Sequence, residues 1–228
     1  MNEKNMLPQS IVFASLFVAM LWWIKLLEWG FDWSLYRLGI QPGEPSGLLG
    51  ILTAPLIHGS WEHLIANTLP LLLLGAVVLF GYPRSRWWVI ATIWLVSGFG
   101  VWLFARPNFH FGASGITHGL LFFLLVIGLL RRDKRSIGLL MIAFFMYGTM
   151  LLTIFPRDPQ ISFEYHFFGA AGGVLAALLF RRWDPKPGRK VYSWDFETED
   201  EEDPLIGDLW KQRKDEKETD DNQPGGNP

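Results

Sequence analysis

Five polar side chains stand out against the apolar stretches of this 228-residue chain: His63 and Asn67, Ser114 within Gly112-Ala-Ser-Gly115, His118, and His166. A serine hydroxyl and an imidazole are the parts of nucleophilic acyl transfer. One attacks and the other takes its proton, if they meet within about 2.6–3.2 Å. Ser114 follows the short connection Ala105–Phe111, and its flanking glycines allow a tight turn and close backbone approach. At a helix N-terminus it would sit among unpaired N–H groups at the positive end of the macrodipole, where developing negative charge is favoured. Acyl transfer also needs donors aimed at the oxyanion, each worth about 3–4 kcal/mol. His63 and Asn67, four residues apart on one helix face, can supply side-chain N–H groups, and the Ser114 amide a third. No carboxylate is present at their depth, so the expected unit is a Ser114–His166 dyad with His166 oriented by packing and not by an aspartate.

Each residue also has a plainer reading. Glycines around a serine form a common packing motif in membrane helices, one intramembrane histidine can simply bond a neighbouring helix, and His63 with Asn67 can clasp another span. The coincidence of all of them near one end of their spans favours chemistry. His58 and His110 fall in connections and are expected at the surface.

The composition dictates what positions these groups. Half the residues are hydrophobic and only 18% charged, too apolar for an ordinary soluble domain. With no cysteine, a disulfide framework, a Cys-ligated metal and a thiol nucleophile are excluded. There is neither a fixed-period repeat nor a phosphate-binding glycine loop. Six apolar stretches, roughly 7–27, 57–80, 87–104, 114–130, 137–155 and 166–180, mostly approach the ~20 residues a bilayer-crossing helix needs. The fold class is therefore all-α, a polytopic six-span bundle. The first stretch is expected to remain as an anchor, because Trp22, Trp23, Lys25, Glu28 and Trp29 occupy the place of a small-residue cleavage site. Seven tryptophans, 29, 33, 61, 87, 88, 102 and 183, fall near span ends, as an interfacial belt requires. The aromatic connection Trp29–Ile57 suits a segment lying partly in the interface.

Charge divides the chain. Residues 1–183 carry 13 Lys+Arg against 8 Asp+Glu, hence +5; residues 184–228 carry 7 against 14, hence −7. The expected organisation is a membrane domain, 1–183, and an acidic, mostly disordered tail, 184–228. Twelve basic residues fall on the side of the termini and only Arg37, Arg106 and Arg157 on the other, which places both termini in the cytoplasm. Asn67 precedes Arg84 by 17 residues, Ser114 precedes Arg131 by 17, and His166 precedes Arg181 by 15. At 1.5 Å per residue the three stand about 22–25 Å above that surface, at nearly one level. In the sixth stretch His166, Gly169, Gly173 and Ala177 share a face, a small-residue stripe that can meet Gly115 and Gly119 of the fourth.

The order His63-x-x-x-Asn67, Gly112-x-Ser114-Gly115 and His166-x-x-Gly169-x-x-x-Gly173-x-x-x-Ala177 resembles the rhomboid intramembrane serine proteases, bacterial six-helix type, over about residues 10–183. The resemblance implies Ser114 as nucleophile, His166 as general base, and His63, Asn67 and the Ser114 amide as the oxyanion hole. It also implies transmembrane protein substrates that unwind locally, with small residues near the scissile bond, entering between the second and fifth spans past Phe144, Phe145 and Met146. Partners are then those substrates and the lipid bilayer of the inner (plasma) membrane, with the site opening on the periplasmic or extracellular side. No metal, organic cofactor or nucleic acid is expected. Two positions depart from the pattern: His118 stands where relatives often stack a tyrosine on the catalytic histidine, and the large Tyr165 precedes His166. His118 is expected to stack on or support His166, and Tyr165 to narrow the mouth or supply the aromatic contact. The rivals are an inactive relative that binds transmembrane helices, and a transporter or bis-histidine haem protein using His63, His118 and His166.

Overall fold

A computed structural model describes residues 6–156 and 161–188. The chain divides into a compact unit, Met1–Pro187, and a second unit, Gly188–Pro228, of which only Gly188 is described. The tail expected to be disordered thus lies almost wholly outside the described residues.

Among its described residues the compact unit has seven α-helices: α1 Met6–Gly30, α2 Gly47–Thr53, α3 Trp61–Gly81, α4 Arg86–Phe104, α5 Ser114–Arg131, α6 Lys134–Tyr147 and α7 Phe163–Phe180. Among the described residues six spans are long and apolar enough to cross a membrane: α1, α3, α4, α5, α7, and α6 with the 3₁₀ segment Gly148–Ile154 that continues it. The chain is a multi-pass membrane protein. α3 starts four residues later than the hydropathy of 57–80 suggests, because the Ser60 side chain accepts the His63 N–H and caps the helix there. The connection after α1 carries the short α2 and two 3₁₀ turns, Leu35–Leu38 and Ala54–Leu56, while Trp29, Phe31, Trp33 and Tyr36 stay exposed.

α5 is the central helix, with Leu120, Leu121, Phe123, Leu124 and Ile127 all buried. Its closest neighbour is α7. A methyl group added at Gly169 would strike the Gly115 carbonyl, and one at Gly173 the Gly119 carbonyl, so these positions let two backbones touch. The small-residue stripe packs as its spacing predicts.

At the end of the bundle away from the candidate residues, the buried Arg131 ties the chain together. The Arg131 guanidinium donates to the carbonyls of Arg181 (3.0 Å), Asp184 (2.8 Å) and Pro185 (3.3 Å) and pairs with Asp133 at 2.9 Å. The Asp184 carboxylate accepts the Arg84 N–H (2.7 Å) and the Ser85 hydroxyl (2.5 Å) at the start of α4. Asp184, the first residue of the stretch expected to be solvated, is therefore buried in the bundle.

Candidate active site

Ser114 is the first residue of α5, so its N–H is one of four without an intrahelical acceptor. The turn that delivers it requires Gly112. Its φ of +113° is disfavoured for any residue with a side chain, and an added methyl would run into the His63 ring. Connections hold this turn from outside. The Gly112 N–H donates to the Ala54 carbonyl (2.9 Å), the Ala113 N–H to His58 Nε2 (3.3 Å), and Ile40 and His110 exchange a pair of backbone bonds at 2.8 and 2.9 Å.

A cavity of about 710 Å³ opens beside Ser114, lined among others by His63, Asn67, Ser114, His118, Thr153 and His166. Ser114 and His166 are each 8% exposed, and both line that cavity. The Ser114 hydroxyl makes no hydrogen bond among the described residues. His166 donates its Nδ1–H to the Thr153 carbonyl at 3.0 Å. A carbonyl oxygen only accepts, so this contact places the proton on Nδ1 and leaves a lone pair on Nε2, as a general base requires.

His118 lies face to face with His166, ring centroids 4.0 Å apart and planes 9° from parallel. The expected stacking partner is therefore His118. Tyr165 takes neither role considered for it: it is fully buried beside Ile40, Ala54 and Val101, with Gly115 against its ring. The stacked arrangement also bears on the haem reading. Both nitrogens of His118 are already bonded, to the Ser114 carbonyl at 2.7 Å and the Thr153 hydroxyl at 2.7 Å, and two rings lying face to face cannot ligate opposite faces of one porphyrin.

Asn67 is buried and donates one amide hydrogen to the carbonyl of His63 at 3.0 Å, leaving its second hydrogen unused among the described residues. The His63 ring meets His58 edge to face at 5.1 Å.

His58 and His110 correct the expectation that they lie at the surface, for each is 2% exposed. The reason is that the connections pack on one another instead of dissolving in water. His110 Nδ1 sits 2.6 Å from the Ser162 hydroxyl and Nε2 3.0 Å from the Arg106 carbonyl. Ser162 caps α7 through the Tyr165 N–H (3.2 Å), so His110 links the turn before Ser114 to the helix that carries His166. Burial drives the affinity of both rings for a proton below that of a free imidazole, His58 down to about 3.

Phe144, Phe145 and Met146 are the residues past which substrate entry is expected. Those three are exposed and none lines the cavity; Tyr147, Met150 and Thr153, further along the same span, do. The segment 157–160 of the next connection lies outside the described residues, while Ile161 and Ser162 line the cavity. Thr153 escaped the sequence reading altogether. Its decisive contact uses a backbone oxygen, which no residue type announces.

Comparison with known proteins agrees with this architecture. An uncharacterized protein of Mycobacterium tuberculosis (strain ATCC 25618 / H37Rv) is 39% identical over 172 residues, 72% of either chain. One of Mycobacterium leprae (strain TN) is 38% identical over 173 residues, 72% of this chain and 68% of its own. No solved structure matches. A family model described as the Rhomboid domain matches residues 45–183, which take in α2 to α7 and every residue around the cavity. With more than half its length under that model, the chain belongs to the rhomboid family.

Proposed function

We propose that this chain is an intramembrane serine endopeptidase that hydrolyses peptide bonds in or near the transmembrane segments of other membrane proteins. The observation that carries the reading is the hydrogen bond from His166 Nδ1 to the Thr153 carbonyl. It leaves a lone pair, not a proton, on Nε2 of a ring that lines the same cavity as Ser114. In the proposed reaction Nε2 takes the Ser114 proton as Oγ bonds to the scissile carbonyl carbon. The oxyanion is met by the Ser114 N–H, the unused Asn67 amide hydrogen and the His63 ring. The imidazolium then gives its proton to the leaving amine. Water, deprotonated by the same nitrogen, attacks the acyl-enzyme and restores the hydroxyl. No step calls for a metal or organic cofactor.

A peptide in helical form has its carbonyls engaged, so a substrate must unwind at the site. Small residues at the scissile bond and helix breakers beyond it meet that need. Entry is proposed between α3 and the span of α6, whose exposed Phe144 and Phe145 face outward. The excess of Lys and Arg at the ends near Arg84, Arg131 and Arg181 puts both termini in the cytoplasm and opens the cavity to the opposite side of the plasma membrane.

A fluorophosphonate probe tests this reading. Label is expected on Ser114 and is abolished by His166→Ala, while His118→Ala retains part of it. A charged probe that stays outside intact cells should reach Ser114. Label only after lysis reverses the orientation, and no label on Ser114 under either condition refutes the nucleophile and leaves helix binding without hydrolysis.

A further inference from the structure

The two stacked imidazoles share a neighbour, Thr153, on the 3₁₀ segment that ends the fifth span. Its hydroxyl oxygen is 2.7 Å from His118 Nε2 and its carbonyl oxygen 3.0 Å from His166 Nδ1. The other nitrogen of His118, Nδ1, lies 2.7 Å from the Ser114 carbonyl. Carbonyl oxygens cannot donate, so each ring carries its hydrogen on Nδ1, and a neutral His118 presents a lone pair at Nε2. The Thr153 hydroxyl then has one proton and two acceptors in reach, His118 Nε2 and the Met150 carbonyl at 2.8 Å. Donation to Nε2 is the choice that leaves a neutral His118 with its hydrogen on Nδ1 against the Ser114 carbonyl, so the hydroxyl proton goes to the imidazole.

We propose that Thr153 is a positioning residue that fixes the Nδ1–H tautomer of both histidines, His118 through its hydroxyl and His166 through its carbonyl. The inference deepens the protease reading and takes its catalytic consequence from it. An unanchored His118 ring can turn about its Cβ–Cγ bond, which puts Cδ2 and Cε1 where Nδ1 and Nε2 stood, frees Nδ1 from the Ser114 carbonyl and disturbs the flat platform on which His166 rests at 4.0 Å. The anchor belongs to the span that exposes Phe144, Phe145 and Met146 on its outer side, so the base is complete only while that span is seated.

Two variants separate the hydroxyl from the carbonyl. Thr153→Val keeps shape and backbone but removes the donor, and Thr153→Ser keeps the donor. In full-length protein with ¹⁵N-labelled histidine, wild type and Thr153→Ser are expected to show Nδ1–H for both rings. Thr153→Val is expected to add an Nε2–H signal for His118. On a transmembrane substrate Thr153→Val should lower kcat about tenfold with KM within about twofold, and Thr153→Ser should restore it. Because the hydroxyl acts through His118, Thr153→Val should cost less than about twofold in a His118→Phe background. An Nε2–H tautomer on His118 in wild type, or the same tenfold loss with Phe at 118, overturns the proposal. A protein that cleaves nothing yet shows Nδ1–H on both rings upholds the tautomer assignment and refutes the protease reading; cleavage with Nε2–H on His118 does the reverse.

Discussion

At the scale of single residues, His166 is oriented by a peptide carbonyl where soluble serine hydrolases commonly use a carboxylate. Inside an apolar layer this difference has a physical reason. A carboxylate there must be desolvated, whereas a carbonyl sets the tautomer and brings no net charge. The same economy governs His58, which accepts the Ala113 N–H while its Nδ1 stays buried without a partner among the described residues. Burial first, then the neighbouring His63 and Lys25, push it down to about 3. An unfolded chain restores an ordinary value of about 6.5. The unfolded form therefore binds the extra proton between those limits, and the stability owed to neutral His58 is full above about pH 6.5 and drains away as pH falls toward 3. The thermal inactivation midpoint of detergent-solubilised protein should fall between pH 7 and 5, and His58→Asn should flatten that slope. Identical slopes in both proteins would show that His58 does not contribute.

Counting from the arginines was enough to bring Ser114, Asn67 and His166 to one level, because helical rise converts sequence distance into depth. His118 was legible as a partner of His166 because it lies one turn after Ser114. What could not be read was the environment of the connections. Nothing in the types of His58 or His110 says that the turn Gly112–Ala113 would be tied down by Ala54 and His58, or that His110 would meet Ser162. Thr153 was hidden for a different reason, since a threonine in a span ordinarily bonds its own helix and only the fold brings a second acceptor to it.

At the scale of elements, the contact of α5 with α7 decides whether the proposed nucleophile and base share a cavity. Gly169 faces the Gly115 backbone, an atom that has no rotamer with which to give way. Gly169→Ala should therefore push the helices apart, lower stability by about 1–3 kcal/mol and reduce Ser114 labelling by at least tenfold. Gly138→Ala, which meets nothing within 4 Å, is the control and should leave both unchanged. Equal behaviour of the two variants would mean that the close approach does not matter. The spans themselves were plain from hydropathy, but their ends were set by local chemistry: the Ser60 cap starts α3, and the Asp133 side chain starts α6 by accepting the Ser136 N–H. The seven-residue α2 is too short for a helical period to emerge from its glycines and leucines.

At the scale of the whole molecule, one end of the bundle is built for rigidity and the other for access. Arg131 draws together the ends of α5 and α7 and the chain as far as Pro185, while the cavity end is closed by connections and by the 3₁₀ turn of the fifth span. In the proposed reaction a lipid-facing substrate approaches from the side, so recognition and hydrolysis are separable events. The most direct measurement of the central claim is cleavage of a single-span model substrate by the purified full-length protein in liposomes, with the product ends identified by mass spectrometry. Wild type should cut at one position within or beside the span, and Ser114→Ala and His166→Ala should bind the substrate as tightly yet release no product. Product formation by Ser114→Ala at the wild-type rate would contradict the account.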